Sequence, residues 1–161
     1  MLLIVWSGRE RYDEFMVDTF KKFIASYGLA LAWIQAILAT LGSLFFSEVL
    51  NYPPCVLCWY QRIAIYPLVF ILGIAYFKKD SNVSQYVLPP LIVGWGISVF
   101  HNLLYWKILP EAAAPCQAGI SCTTKYVEYF GFLTIPFLAF LAITAIIVLV
   151  VLQKRFAINN N

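Results

Sequence analysis

Pro53-Pro54-Cys55-Val56-Leu57-Cys58-Trp59-Tyr60-Gln61-Arg62 opens an apolar run that continues to Phe77. The two prolines close the segment before them. A residue preceding proline is pushed out of the helical region, and proline itself suits a helix's first turn. A helix is therefore expected to begin at about Pro54, with Cys55 and Cys58 in its first turn. There the positive end of the helix dipole favours thiolate over thiol. Arg62 follows Cys58 by one helical turn on the same face and sets a permanent positive charge beside the inner sulfur. Two cysteines spaced Cys-x-x-Cys, a dipole and an arginine make a redox-active dithiol.

The run from Cys58 to Phe77 is one of four. The others extend from Leu29 to Val49, from Val87 to Trp106 and from Phe130 to Leu152. Each has about 20 residues, the length that crosses a hydrocarbon core of roughly 30 Å. The whole chain of 161 residues is 62% hydrophobic and only 12% charged, too apolar for a soluble domain of this size. The fold class that follows is all-α: a polytopic membrane protein with a bundle of four transmembrane helices. In the first span Ala32, Ala36, Ala39, Ser43 and Ser47 recur at helical spacing, a stripe that lets helices approach closely and so faces the bundle. Pro67 is expected to kink the second span, Pro89-Pro90 opens the third, and Pro136 lies in the fourth.

The net charge of +3 implies no nucleic-acid partner, because the basic residues sit at the ends of the apolar spans. Their placement sets topology instead. Arg9, Arg11, Lys21, Lys22, Lys78, Lys79, Lys154 and Arg155 fall on one side, against Lys107 and Lys125 on the other, with Arg62 at its edge. Both termini and the short middle turn are thus expected in the cytoplasm. The loops at 50–54 and 107–129 then face outward, with Trp59, Tyr60, Tyr105, Trp106, Tyr126, Tyr129 and Phe130 near that interface. All four cysteines, Cys55, Cys58, Cys116 and Cys122, belong to this outer side, where disulfides persist.

Residues 1–26 form a leader without the basic start and cleavage site of a signal peptide. Phe15, Phe20, Phe23 and Ile24 place it either as an amphipathic helix on the inner membrane surface or as a solvated extension. Residues 27–155 form the four-helix redox domain, and 156–161 a polar tail.

His101, on the third span, shares a face with Gly94, Ser98 and Tyr105, which turns it inward. Counted from the outer end it lies about five residues, roughly 8 Å, below the surface, the depth expected of Arg62. Intramembrane ionisable groups are usually functional, and His101 is either a ligand or proton-handling group or an interhelical hydrogen-bond partner. Glu48 reads as an interfacial, solvated carboxylate or a proton relay, and Gln35 as a packing or interhelical residue. The cysteines admit other readings. They are structural staples of the outer loops, in a non-enzymatic membrane subunit or transporter, or they hold a four-cysteine zinc centre, for which the five residues between Cys116 and Cys122 are loose.

Pro-Cys-Val-Leu-Cys-Trp-Tyr-Gln-Arg at 54–62, with Ile63 to Pro67, closely resembles the disulfide-bond formation protein B family. Pro115-Cys116, Cys122-Thr123, Tyr126, the segment Glu128 to Phe132, and Ala32-Trp33-Ile34-Gln35-Ala36 resemble its short-loop branch, the C-type thiol-disulfide oxidoreductases. The resemblance covers about Tyr27 to Gln153. A vitamin K epoxide reductase type of enzyme has similar parts in the opposite order. The resemblance implies a thiol:quinone oxidoreductase of the bacterial cytoplasmic membrane. It would reoxidise an extracytoplasmic thioredoxin-fold dithiol oxidase, of the disulfide-bond formation protein A type, and pass electrons to ubiquinone or menaquinone in the membrane pool. By position, Cys116 would meet the partner's thiolate, Cys122 and Cys55 would relay, and Cys58 would face the quinone. Arg62 would bind quinone, with His101 as a second candidate. The loop pair is closer in sequence than in the better-known branch, and Gln61 stands where that branch often has an acid.

Overall fold

The computed structural model describes the backbone of residues 2–80, 82–110, 121–124, 128–129 and 133–158, and the side chains of 16–80, 82–110, 121–124 and 134–157. α1 runs Leu2–Leu44 and passes into a π-helical turn, Phe45–Val49. α2 is Val56–Lys78, α3 Val83–Tyr105 and α4 Ile135–Ile158. Before α4, β1 (Glu128–Tyr129) pairs antiparallel with β2 (Leu133–Thr134), Glu128 opposite Thr134. Apart from this short ladder, the regular secondary structure among the described residues is helical. Four stretches are long and apolar enough to cross a membrane: Met16–Val49, Val56–Lys78, Val83–Tyr105 and Ile135–Ala157.

Each helix packs mainly on its two neighbours in the ring α1, α2, α3, α4. Ala32 and Ala36 of α1 are wholly buried, as the small-residue stripe requires. They join Leu68 and Leu72 of α2, Val87 and Leu91 of α3, and Ile143 and Ile146 of α4 in one core. Large apolar side chains such as Ile63, Phe70, Phe77, Ile92 and Val93 point outward. In lipid that outward face has nothing to gain from burial, so close packing of small residues holds the helices instead. Trp33 illustrates it. Its ring lies 3.0 Å from where a Cβ on Gly73 would stand, and its Nε1–H donates to the Val69 carbonyl at 2.8 Å.

Several boundaries differ from expectation. α2 begins at Val56 rather than at about Pro54, because Cys55 keeps an extended backbone (φ −72°, ψ 171°) and caps the helix instead of joining it. α3 begins at Val83, so Pro89 and Pro90 lie inside it rather than opening it. Its start is fixed by Asp80, whose carboxylate accepts the Asn82 N–H at 2.8 Å and the Tyr86 hydroxyl at 2.7 Å. α4 begins at Ile135 rather than Phe130, because the ladder takes the preceding residues and Thr134 Oγ1 accepts the Phe137 N–H. Pro136 thereby falls in the first turn, where a missing N–H costs nothing. The backbone of α1 continues through residues 26 and 27 without interruption, with Ile24 buried and Phe20 and Phe23 exposed.

A Cβ on Gly94 would stand 2.6 Å from the Ala64 Cβ, whereas one on Gly96 would meet nothing within 4 Å. Both replacements by alanine gain the same helical propensity, about 1 kcal/mol. Gly94→Ala should therefore melt below Gly96→Ala in detergent, by the temperature equivalent of about 1–3 kcal/mol of overpacking. Equal melting temperatures would mean that α2 and α3 do not approach this closely.

Candidate active site

The π-helical turn ends α1, and Asn51 takes a left-handed backbone (φ 54°) that reverses the chain toward the two prolines. Cys55 follows as the N-cap of α2, and its sulfur accepts the Cys58 N–H at 3.3 Å. That position collects the unpaired amides and the positive dipole end of the helix, so negative charge on sulfur is favoured there. Cys55 and Cys58 are free thiols, and their sulfurs are hydrogen-bonded at 2.9 Å. The Cys55 thiol is lowered to about 4, chiefly by the hydrogen bond with the Cys58 side chain. Burial opposes the shift, while His101 and the Cys58 N–H add to it.

His101 is completely buried. Its Nε2 lies 3.1 Å from the Cys122 carbonyl and 3.8 Å from Cys55 Sγ, and its Nδ1 lies 3.5 Å from the Gln61 amide nitrogen. A carbonyl can only accept, so Nε2 carries the proton and Nδ1 receives the Gln61 N–H. One ring thus joins α3, α2, the N-cap and the segment 121–124. Cys122 is buried and disulfide-bonded, its partner lying outside the described residues. Beside His101, Asn102 donates to the carbonyls of Ser98 at 2.8 Å and Pro136 at 3.0 Å, tying α3 to the start of α4.

Arg62 reaches across to α1. Its Nε–H donates to Ser43 Oγ at 3.0 Å and its Nη2–H to the Ser43 carbonyl at 3.1 Å. The Tyr66 hydroxyl donates to the same Ser43 Oγ at 3.1 Å. The guanidinium also lies 5.2 Å from the Trp59 ring centroid. Ser43 stands where the α-helical pattern gives way to the π turn, at the negative end of α1, so a cation is the natural partner there. Between the four helices and the 121–124 segment lies a cavity of about 260 Å³. Leu38, Ala39, Phe46, Ile65, Leu138 and Ala142 give it an apolar wall, and Cys55, Cys58, Arg62, His101 and Cys122 border it.

Five of the six residues singled out in the sequence therefore meet at one cavity, and Cys116 lies outside the described residues. Glu48 is exposed and accepts from its neighbour Ser47. Tyr105 is buried and lines the cavity, as the face it shares with His101 requires, and does not stand exposed as Trp59 and Trp106 do. With Cys122 disulfide-bonded, the four cysteines do not together offer thiolates to a zinc ion in this structure. Gln61, Ser43, Tyr66 and Asn102 were not foreseen as parts of the site. Ser43 was visible only as a member of the small-residue stripe. Gln61 was visible only as a missing acid.

The sequence model of the family described as "Disulfide bond formation protein DsbB" matches residues 25–153. The chain is 48% identical over 126 residues to "Disulfide bond formation protein C" of Bacillus subtilis (strain 168), covering 78% of this chain and 91% of that protein. It is 47% identical over 133 residues to "Probable disulfide formation protein C 1" of Bacillus anthracis, covering 82% of this chain and 86% of the relative. No solved structure gives a significant match.

Because the Cys55 thiol is lowered to about 4, its thiolate exists above that pH and is lost as pH falls through it. Thiolate absorbance of the reduced protein should persist well below the ordinary thiol pKa of about 8.5. His101→Ala should move the first titration upward, since His101 contributes to the shift. A wild-type titration confined to the ordinary thiol range would remove the cap geometry as a source of reactivity.

Proposed function

The chain belongs to the DsbB family of disulfide bond formation proteins, and we propose that it is a thiol:quinone oxidoreductase that reoxidises a thioredoxin-like dithiol oxidase. The observation that carries this reading is the meeting of the Cys55–Cys58 dithiol and the disulfide-bonded Cys122 around His101, at the wall of an apolar cavity. A cavity of about 260 Å³ far exceeds the roughly 10–15 Å³ that one water needs, and with its apolar wall it fits a ring. The place of Cys55 and Cys58 at a helix start on the cavity wall favours this over the reading in which all cysteines brace loops.

The residues divide the work as follows. A thiolate of the partner attacks Cys116 of a Cys116–Cys122 disulfide, and its second thiol completes the exchange, leaving the partner oxidised and the loop pair reduced. Cys122 then attacks Cys55 of a Cys55–Cys58 disulfide, and Cys58 leaves as thiolate. Its leaving is eased by Arg62, whose charge faces the same cavity. Cys116 then displaces Cys55 from Cys122, which restores the loop disulfide and leaves Cys55 and Cys58 reduced. A bound quinone supplies the acceptor for the two electrons and two protons that Cys55 and Cys58 give up when they re-form their disulfide. Arg62, clamped by Ser43 at the edge of the cavity, would offer its remaining N–H groups to a developing oxyanion. His101 holds the Cys122 segment against Cys55.

Residues 27–155 carry this chemistry in the bacterial cytoplasmic membrane. The termini are cytoplasmic and both cysteine pairs face outward, as the distribution of Lys and Arg supports.

Purified protein should reduce ubiquinone or menaquinone analogues when a reduced thioredoxin-fold dithiol oxidase is the donor. Cys58→Ser should abolish turnover with the fold intact. Arg62→Ala should raise KM for quinone by about 10- to 100-fold, the value of a lost charge-assisted hydrogen bond, with a smaller effect of the same sign from Ser43→Ala. Full turnover by Cys58→Ser would overturn the reading, and unchanged quinone kinetics in Arg62→Ala would remove Arg62 from the site.

A further inference from the structure

We infer that Cys55, Cys58 and His101 form a site for a thiophilic divalent cation, zinc first among them, open only while the two thiols are reduced. The ligand atoms of these three residues lie within 4.8 Å of one another. Cys-x-x-Cys at a helix start is a zinc half-site by spacing, and an imidazole is the usual third ligand. Soft sulfur ligands with no carboxylate among them select zinc or cadmium over magnesium and calcium.

The geometry is close to what a tetrahedral ion needs. Zinc–sulfur bonds of about 2.3 Å hold two sulfurs roughly 3.8 Å apart. The present sulfur separation is 2.9 Å, and the separation from Cys55 Sγ to His101 Nε2 is already 3.8 Å. Rotation of the half-buried Cys58 side chain opens the pair without moving the helix. The fourth position then faces the cavity. Both sulfurs enter as thiolates, so the thiol protons still present pass to solvent and two negative charges offset the ion.

His101 must expose the Nε2 lone pair, which means moving its proton to Nδ1. Gln61 can meet that change by turning its amide, so that Oε1 accepts from Nδ1–H. Such an outer partner fixes the tautomer of a metal-bound histidine. The exchange has a consequence: Nε2 gives up its bond to the Cys122 carbonyl. An ion here would hold the dithiol reduced and loosen the segment that delivers Cys122. A disulfide between Cys55 and Cys58, or between Cys55 and Cys122, removes the site altogether. The site therefore reports the redox state of the dithiol. Inhibition of turnover by zinc rests on the function proposed above, but the binding does not.

The test uses the purified full chain in detergent, reduced and then freed of reductant, titrated with Zn²⁺ or Cd²⁺ against a chromophoric chelator. One ion per chain should bind, with thiolate-to-metal charge-transfer absorption for Cd²⁺. Binding should vanish after oxidation of Cys55 and Cys58, and in Cys58→Ser. His101→Ala should weaken it at least tenfold, and Gln61→Ala by about tenfold, the usual effect of an outer-sphere partner. X-ray absorption of the zinc-loaded wild type should show two sulfurs and one imidazole, a readout that needs no variant to fold. A shell without imidazole, equal affinity in His101→Ala, or binding by the oxidised protein would overturn the inference. Binding as described in a protein that reduces no quinone would leave this site standing and sink the proposed function instead.

Discussion

A buried imidazole holds the dithiol end of this molecule together. His101 places one nitrogen against the Cys122 carbonyl and the other against the Gln61 amide, with Cys55 Sγ in reach of the first. The ring is completely buried, so each lost partner would strand a buried polar group at a cost of about 1–3 kcal/mol. That cost is what fixes the loop segment, the N-cap and two helices relative to one another. Asn102, one residue on, does the same for α4 through the Pro136 carbonyl. The redox groups are thus positioned by two adjacent residues of a single helix turn.

A bilayer makes this economy necessary. Lipid gives helices no hydrophobic reason to associate, because their apolar faces are already solvated. The middle of the bundle answers with small residues and close approach, as at Ala32, Ala36, Gly73 and Gly94. The end that carries the dithiol answers with polar groups that must be satisfied within the protein. There the end of α1 leaves the α-helical pattern, Ser43 offers its hydroxyl and carbonyl, and Arg62 occupies both. A charge that would be expensive alone in lipid becomes the cap of a neighbouring helix. Its anchoring is also what leaves it beside the cavity.

Helix number, inward faces and the identity of the dithiol were legible in the sequence, because each rests on a local rule: length against bilayer thickness, small-residue spacing, Cys-x-x-Cys after proline. Arg62 and Cys58 fall on one face by simple turn counting, and both border the cavity. Helix starts were less legible. Proline counts equally as a first-turn residue or as part of the preceding loop, and only the extended backbone of Cys55 decides it. The start of α4 depended on a strand ladder whose pairing partners are set by tertiary contact. Gln61 and Ser43 were illegible as site residues because their roles are defined by what reaches them from other helices. A small polar residue on an apolar helix carries no mark of its partner.

The position of the dithiol reconciles two demands that oppose each other. Exchange with a protein requires access from water, whereas a lipid-soluble oxidant arrives from the hydrocarbon side. Cys55 stands just outside the spanning helix and Cys58 in its first turn, and both border the apolar cavity, so a single Cys-x-x-Cys lies where the helix end meets that cavity. The stabilisation of negative charge that makes such sulfurs quick to exchange also makes them good ligands for soft cations. Reactivity cannot be raised at this cap without raising that affinity, since both draw on the thiolate. What separates them is the disulfide: a bonded Cys55 is no ligand. The faster the pair is reoxidised, the less time it spends in the state that a metal ion can capture.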